Sequence, residues 1–189
     1  MSEPELILGV KNAMLRLDDD SHLIGVYSPA GTGMNVFDVT FTLVTGSYAS
    51  GTVIAATQEI SNFFLENGGS AIIAGFDLLD EEAQNVAMTL LFLDSDVSVG
   101  NEHSAYSISD ANSEKLLGRG IEIATTDYKT FGNNGFSKAT YKIIDSNVYI
   151  PYVVKAAAGS RSLYVALING SGAPIWTGNK LLGKIAVMY

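Results

Sequence analysis

The stretch Asp94-Ser95-Asp96-Val97-Ser98-Val99-Gly100-Asn101-Glu102 brings three carboxylates and an asparagine close together in sequence. Hard cations such as calcium take several oxygen ligands from a bent loop, so this is the strongest metal signature in the chain. Its spacing fails the EF-hand pattern, because the glycine stands one place late and no glutamate fills the final ligand position. A solvated turn is the simpler reading. The run Asp18-Asp19-Asp20 with His22 has the residue types for a metal cluster or an acid–base pair, although runs of like charge are usually solvated loops. His103 beside Glu102, with Ser104 or Ser107, offers the parts of a hydrolase triad. Neighbours on a strand point to opposite faces, however, and no G-x-S-x-G elbow surrounds either serine. Gly31-Thr32-Gly33 is too short for a dinucleotide fingerprint, and the chain has no P-loop. These residues predict no enzyme, no cofactor and no resident metal.

Tyr48, Tyr106, Tyr128, Tyr164 and Trp176 could stack on sugar rings, as in β-sandwich lectins. Strands also favour aromatics and pair them across neighbours, so core or subunit contact is the competing use. Trp176 lies in the turn Gly172-Ala173-Pro174-Ile175-Trp176-Thr177-Gly178, which predicts that it is exposed or at an interface.

The elements that must position these groups are mostly strands. Val36–Leu43 alternates apolar and polar residues, whereas Val86–Leu93 is apolar almost throughout. Strands are expected near 36–44, 52–60, 71–79, 86–94, 104–109, 121–127, 139–155 (two, broken near Asp145-Ser146-Asn147), 162–169 and 180–188. Segments rich in Gly, Asn, Ser and Asp separate them. One helical turn is expected between Ser109 and Leu117, capped by Ser109 or Asp110 and ended by Gly118. The N-terminal segment differs, because Leu6, Val10, Ala13, Met14 and Leu17 recur at helical spacing. Ser2 and Glu5 form a capping box, and the acidic run at 18–20 opposes any helix continuing past Leu17. The pattern therefore predicts an all-β chain: a jelly-roll-like β-sandwich over residues 36–189, preceded by a short N-terminal helix or arm and linker over 1–35.

Composition limits the partners. The 189 residues contain no cysteine, so nothing in the fold needs an oxidising compartment. Met1-Ser2-Glu3-Pro4-Glu5 has neither the basic nor the apolar region of a secretory signal, so none is expected, and no apolar run approaches the ~20 residues of a membrane span. A net charge of −9, with scattered cations, disfavours nucleic acid and anionic membranes. Charged residues are only 16% of the chain and apolar ones 47%, against roughly 25% charged in an average domain. A surface so poor in charge suits a long-lived assembly with subunit contacts, although a large core would use the same composition.

In order along the chain, several segments resemble a family of small bacteriophage virion proteins with head-decoration or cement roles. They are Tyr48-Ala49-Ser50-Gly51-Thr52-Val53-Ile54, Gly68-Gly69-Ser70 through Leu79-Asp80, and Leu90-Leu91-Phe92-Leu93-Asp94. Asp110-Ala111-Asn112-Ser113-Glu114-Lys115-Leu116-Leu117-Gly118, Leu163-Tyr164-Val165-Ala166-Leu167-Ile168, Gly172-Ala173-Pro174 and Leu181-Leu182-Gly183-Lys184-Ile185 follow. The likeness covers residues 36–189 and carries no catalytic residue. It implies a jelly roll on the capsid surface of a virion, made in a host cytoplasm, bound to the major capsid protein and assembled as a homotrimer. Leu6, Val10, Met14, Leu17 and Trp176 are then the candidate subunit or capsid contacts. The alternative from another class is a carbohydrate-binding module of a virion fibre.

Overall fold

Alternation of side chains across a strand makes each sheet bury one face, and two such sheets stacked face to face share a core. A computed structural model describes residues 14–17, 23–26, 34–131, 136–142, 152–178 and 180–189. Its strands are β1 (Met14–Leu17), β2 (Leu23–Val26), β3 (Asn35–Thr42), β4 (Gly46–Ser47), β5 (Val53–Ile60), β6 (Ser70–Asp80) and β7 (Met88–Leu93). After a short helix α1 (Asp110–Ser113) come β8 (Ile121–Ile123), β9 (Tyr128–Phe131), β10 (Phe136–Lys142), β11 (Tyr152–Lys155), β12 (Leu163–Asn169), β13 (Ile175–Trp176) and β14 (Lys180–Met188).

One sheet has the order β3-β14-β6-β10-β9, with β11 also paired to β6; the other has the order β5-β12-β7-β8. All pairs are antiparallel. Successive long strands pass from one sheet to the other: β3 to β5, β5 to β6, β6 to β7, β10 to β12 and β12 to β14. This interleaving of two Greek keys is a jelly roll. Between the sheets lie Phe41, Ile54, Ile73, Leu78, Leu90, Phe92, Leu163, Val165, Leu181 and Ile185, all buried. Each such side chain contributes about 1.5–3 kcal/mol relative to exposure.

The nearly continuous apolar runs of β7 and β12 have a separate cause. After β7 the chain crosses the outer face of the four-stranded sheet and encloses a second core. Leu91 and Leu93 from β7, Ala166 and Ile168 from β12, and Val53 pack there with Val99. Val97, Tyr106, Ile108 and Leu116 cover them. Leu90 and Phe92 face the first core while Leu91 and Leu93 face the second. A strand buried on both faces has no polar side to show.

Several expectations change. The helix expected to end at Leu17 is absent over its last turn, because Met14–Leu17 pairs with Leu23–Val26 and meets its backbone hydrogen-bonding needs across a ladder. Residues 104–109 are no strand but part of the cover over the second core, making one isolated bridge, Thr52 to Ala105. The segment 121–127 divides into β8 and a 3-10 turn at Thr125–Asp127. The helical turn at Asp110–Ser113 has Ser109 at its N-cap, without a side-chain capping bond, and Gly118 follows at φ +74°. Among the described residues, no helix is long and apolar enough to cross a membrane.

Candidate functional site

The polar residues closest to a catalytic set converge at the end of the sandwich where β3, β6 and β12 finish. Tyr48 is completely buried there, its ring stacked on His103 at 4.0 Å between centroids and edge-on to Trp176 at 5.1 Å. The Tyr48 hydroxyl lies 2.8 Å from the Val44 carbonyl and 3.2 Å from a Glu102 carboxylate oxygen, both acceptors. The same Glu102 oxygen accepts the Val44 N–H at 3.0 Å. His103 sits in the left-handed region at φ +63°, and its Nδ1 is 3.1 Å from the Ser47 carbonyl. A carbonyl only accepts, so Nδ1 carries the proton in this contact. Gly46 makes the packing possible: a Cβ there would stand 2.9 Å from His103 Cε1.

Glu102 and His103 are therefore both occupied in fastening the 43–48 turn to the 99–107 segment. The backbone N–H groups of Ser104 and Ser107 bond within that segment, to Asn101 and Val99, and both side chains face out. This arrangement can hold loops together; it supplies no relay from carboxylate through imidazole to a nucleophile. Burial, and then the negative charge of Glu102, push the Tyr48 hydroxyl well above the usual tyrosine pKa.

Beside it, Asp80 is a buried carboxylate at the end of β6. Its Oδ1 accepts the Glu82 N–H at 3.1 Å, and Oδ2 accepts those of Gln84 at 2.7 Å and Asn85 at 3.2 Å. Trp176 donates its indole N–H to Oδ1 at 3.4 Å, a long bond. Trp176 is thus a core residue rather than the surface anchor its turn suggested. Pairing of β13 with β4 and the Asp80 acceptor draw it inward, leaving Ile175 exposed in its place. Asn169 completes the end. Its amide donates to the carbonyls of Tyr48, Ala49 and Gly172, and its Oδ1 accepts the Ser171 N–H. The sequence marked Asp80 and Asn169 only as the first residues of turns, with no role at this end; each is a short polar residue ending an apolar strand.

The calcium-like stretch does not converge. Asp94 Oδ1 accepts the Ser95 hydroxyl, whereas Glu102 faces Val44 and Tyr48. Among the described residues, no three His, Asp or Glu side chains come close enough to hold a metal ion. Asp18, Asp19, Asp20 and His22 lie outside the described residues, as do Leu6 and Val10. Met14 and Leu17 are the two ends of β1. The five aromatics make no exposed platform: Tyr48 and Trp176 are buried, Tyr106 and Tyr164 pack on the second core, and Tyr128 packs on the first. Burial and the charges of Asp80 and Asp127 also raise the Tyr128 pKa. An open cleft of about 520 Å³ at the opposite end is lined by Asp94, Lys155 and the small residues 156–159.

The outer face of the six-stranded sheet is the distinctive surface. Its middle carries a cross-strand charge ladder. Lys184 bonds Asp38 at 2.5 Å and stands opposite Asp77, which Lys138 bonds at 2.7 Å. Next to it lies an apolar band in which Val36 pairs with Ala186, and Ile72 pairs with both Met188 and Val153. Val36 and Val153 are 56% and 57% exposed.

No protein-family model matches the chain, and no curated protein matches it. A solved structure titled for the infectious bursal disease virus Gx strain aligns at 14% identity with a TM-score of 0.20. The alignment covers 92% of this chain, which spans 43% of the length of that one. At that score the likeness carries no argument about fold or role.

Proposed function

We propose that this chain is a structural protein of a bacteriophage particle that decorates the outer capsid lattice and holds neighbouring capsid subunits together, as a homo-oligomer bound to the major capsid protein. The observation that carries the reading is the banded outer face of the six-stranded sheet. Val36, Val153, Asp38 and Lys184 stand exposed on it, and an apolar band beside a charge ladder suits docking on a partner with a defined register. The groups that could do chemistry at the sandwich end are committed to structural bonds, which supports a passive role and no enzyme. The mechanism is mass action. A protein that binds only the assembled lattice stabilises it, and many copies multiply a modest contact energy.

Co-sedimentation of purified chain with capsids lacking it tests this. Binding should saturate in fixed ratio to the major capsid protein and raise the temperature at which the shells break. Val153→Asp should weaken it at least tenfold, since losing one buried Val contact of about 1.5–3 kcal/mol exceeds the 1.4 kcal/mol per decade. Folded chain that leaves such shells bare overturns the proposal. Among the described residues the carbohydrate-binding alternative lacks the exposed aromatic platform that was one of its two motivations.

A further inference from the structure

A sheet edge is a row of unpaired N–H and C=O groups, which proteins blunt with short strands, covering segments or charge. Among the described residues the two large sheets have five edge strands, β3, β9 and β11 in one and β5 and β8 in the other. β8, β9 and β11 are only three, four and four residues long. β5 is covered: its Val53 N–H donates to Ser104 at 2.9 Å, and His103 donates back to Val53 at 3.0 Å. The Thr57 hydroxyl also donates to Val97 at 2.6 Å. Among the described residues β3 has no such protection along Asn35–Thr42; just beyond it the Val44 N–H donates to Glu102 and its carbonyl accepts the Tyr48 hydroxyl. The strand runs for eight residues, and among the described residues only β14 pairs with it. Met34, Val36 and Val44 lie on or beside it, 65%, 56% and 54% exposed, and are half of the six large apolar side chains most exposed among the described residues. Its single charge, Asp38, is met by Lys184, so this edge is neutral although the chain carries −9.

We propose that β3 pairs antiparallel with β3 of a second copy across a twofold axis through Val39, joining the two six-stranded sheets. The strand is self-complementary in that register. Met34 faces the partner's Val44, so two exposed apolar side chains cover each other. Val36 faces the partner's Thr42, Phe37 the partner's Phe41, and Asp38 the partner's Thr40. An axis through Asp38 would oppose two carboxylates. An axis through Thr40 would leave Met34 facing the partner's Gly46, without cover. An axis between residues would set outward side chains against inward ones. The contact is isologous, so it produces dimers or pairs of larger rings, and it stands independently of the virion reading.

Native mass spectrometry of the full chain should show an even number of copies. T40D sets a carboxylate against the partner's Asp38 on both sides of the axis and should halve the mass without changing the circular dichroism spectrum. D38K/T40D restores opposite charges and should restore the mass. The chain has no cysteine, so engineered thiols report only this contact. D38C and T40C chains, mixed and oxidised, should cross-link to each other, and neither to itself. This pair of variants also decides the matter if T40D fails to fold. A monomeric or trimeric wild type, a mass unchanged in folded T40D, or self-cross-linking of D38C or T40C overturns the proposal.

Discussion

Replacing Asp80 by alanine should be among the most damaging single changes available at the loop-bearing end. The side chain is fully buried and serves three backbone N–H groups at 2.7–3.2 Å, plus the Trp176 indole at 3.4 Å. A hydrogen bond to a charged acceptor is worth about 1.5–3 kcal/mol, and the indole bond adds little at its length. Three such bonds set an upper limit near 9 kcal/mol. The 81–85 turn is partly exposed, so water replaces some of the lost acceptor, and a loss of about 3–5 kcal/mol is expected. In a domain of this size that lowers Tm by about 6–20 °C. Urea unfolding followed by far-ultraviolet circular dichroism gives the number, with Trp176 fluorescence as a second probe. D80N, which keeps one acceptor oxygen, should fall between wild type and D80A. The exposed E122A should stay within about 0.5 kcal/mol. A D80A loss below about 1 kcal/mol, with an unchanged m-value, would refute the assignment of Asp80 as the clasp of this end.

Other expectations are equally specific. Leu93→Ala removes a fully buried side chain from the second core and should cost about 2–5 kcal/mol in the same assay; a loss under 1 kcal/mol would mean that the 94–118 cover is not packed as described. Ser137 is buried with its hydroxyl unpartnered, so Ser137→Ala should be neutral or stabilising by about 1–2 kcal/mol, and a clear destabilisation would contradict that environment. Tyr48 and Tyr128 have raised pKa values, so both stay protonated in the folded state at pH values where they ionise in the unfolded chain. Stability from this source is complete below the unfolded value of about 10 and is lost as pH climbs above it. Tyr48→Phe should flatten that alkaline loss, and an identical pH profile in the variant would count against the burial of the hydroxyl.

The sandwich was legible because its strands obey simple rules. β3 and β14 alternate cleanly, with Gly46 following the first and Gly178 preceding the second. What failed had long-range causes. Tyr106 and Ile108, spaced like strand residues, satisfy that spacing by lying on another sheet's outer face. The apolar run of β7 announced a strand but not its second core, since one sequence cannot say what covers each face. Trp176 misled because glycine and proline mark its turn, while the acceptor that pulls it inward lies at Asp80. The helical spacing through Met14 and Leu17 yielded to pairing with Leu23–Val26, a partner that periodicity does not consider. At the sandwich end, Glu102 and His103 stood out for their chemistry, yet their use as fasteners depends on Val44, Ser47 and Tyr48, more than fifty positions away.

The central claim is that this chain acts through the surfaces it shares, on an assembled shell. Counting its copies in purified phage particles, by quantitative mass spectrometry against the major capsid protein, tests that most directly. The account predicts many copies per particle, in a constant ratio to the shell subunit and lost together with shell stability when the gene is deleted. Intact particles that contain none of it, or a trace unrelated to the shell subunit, would contradict it.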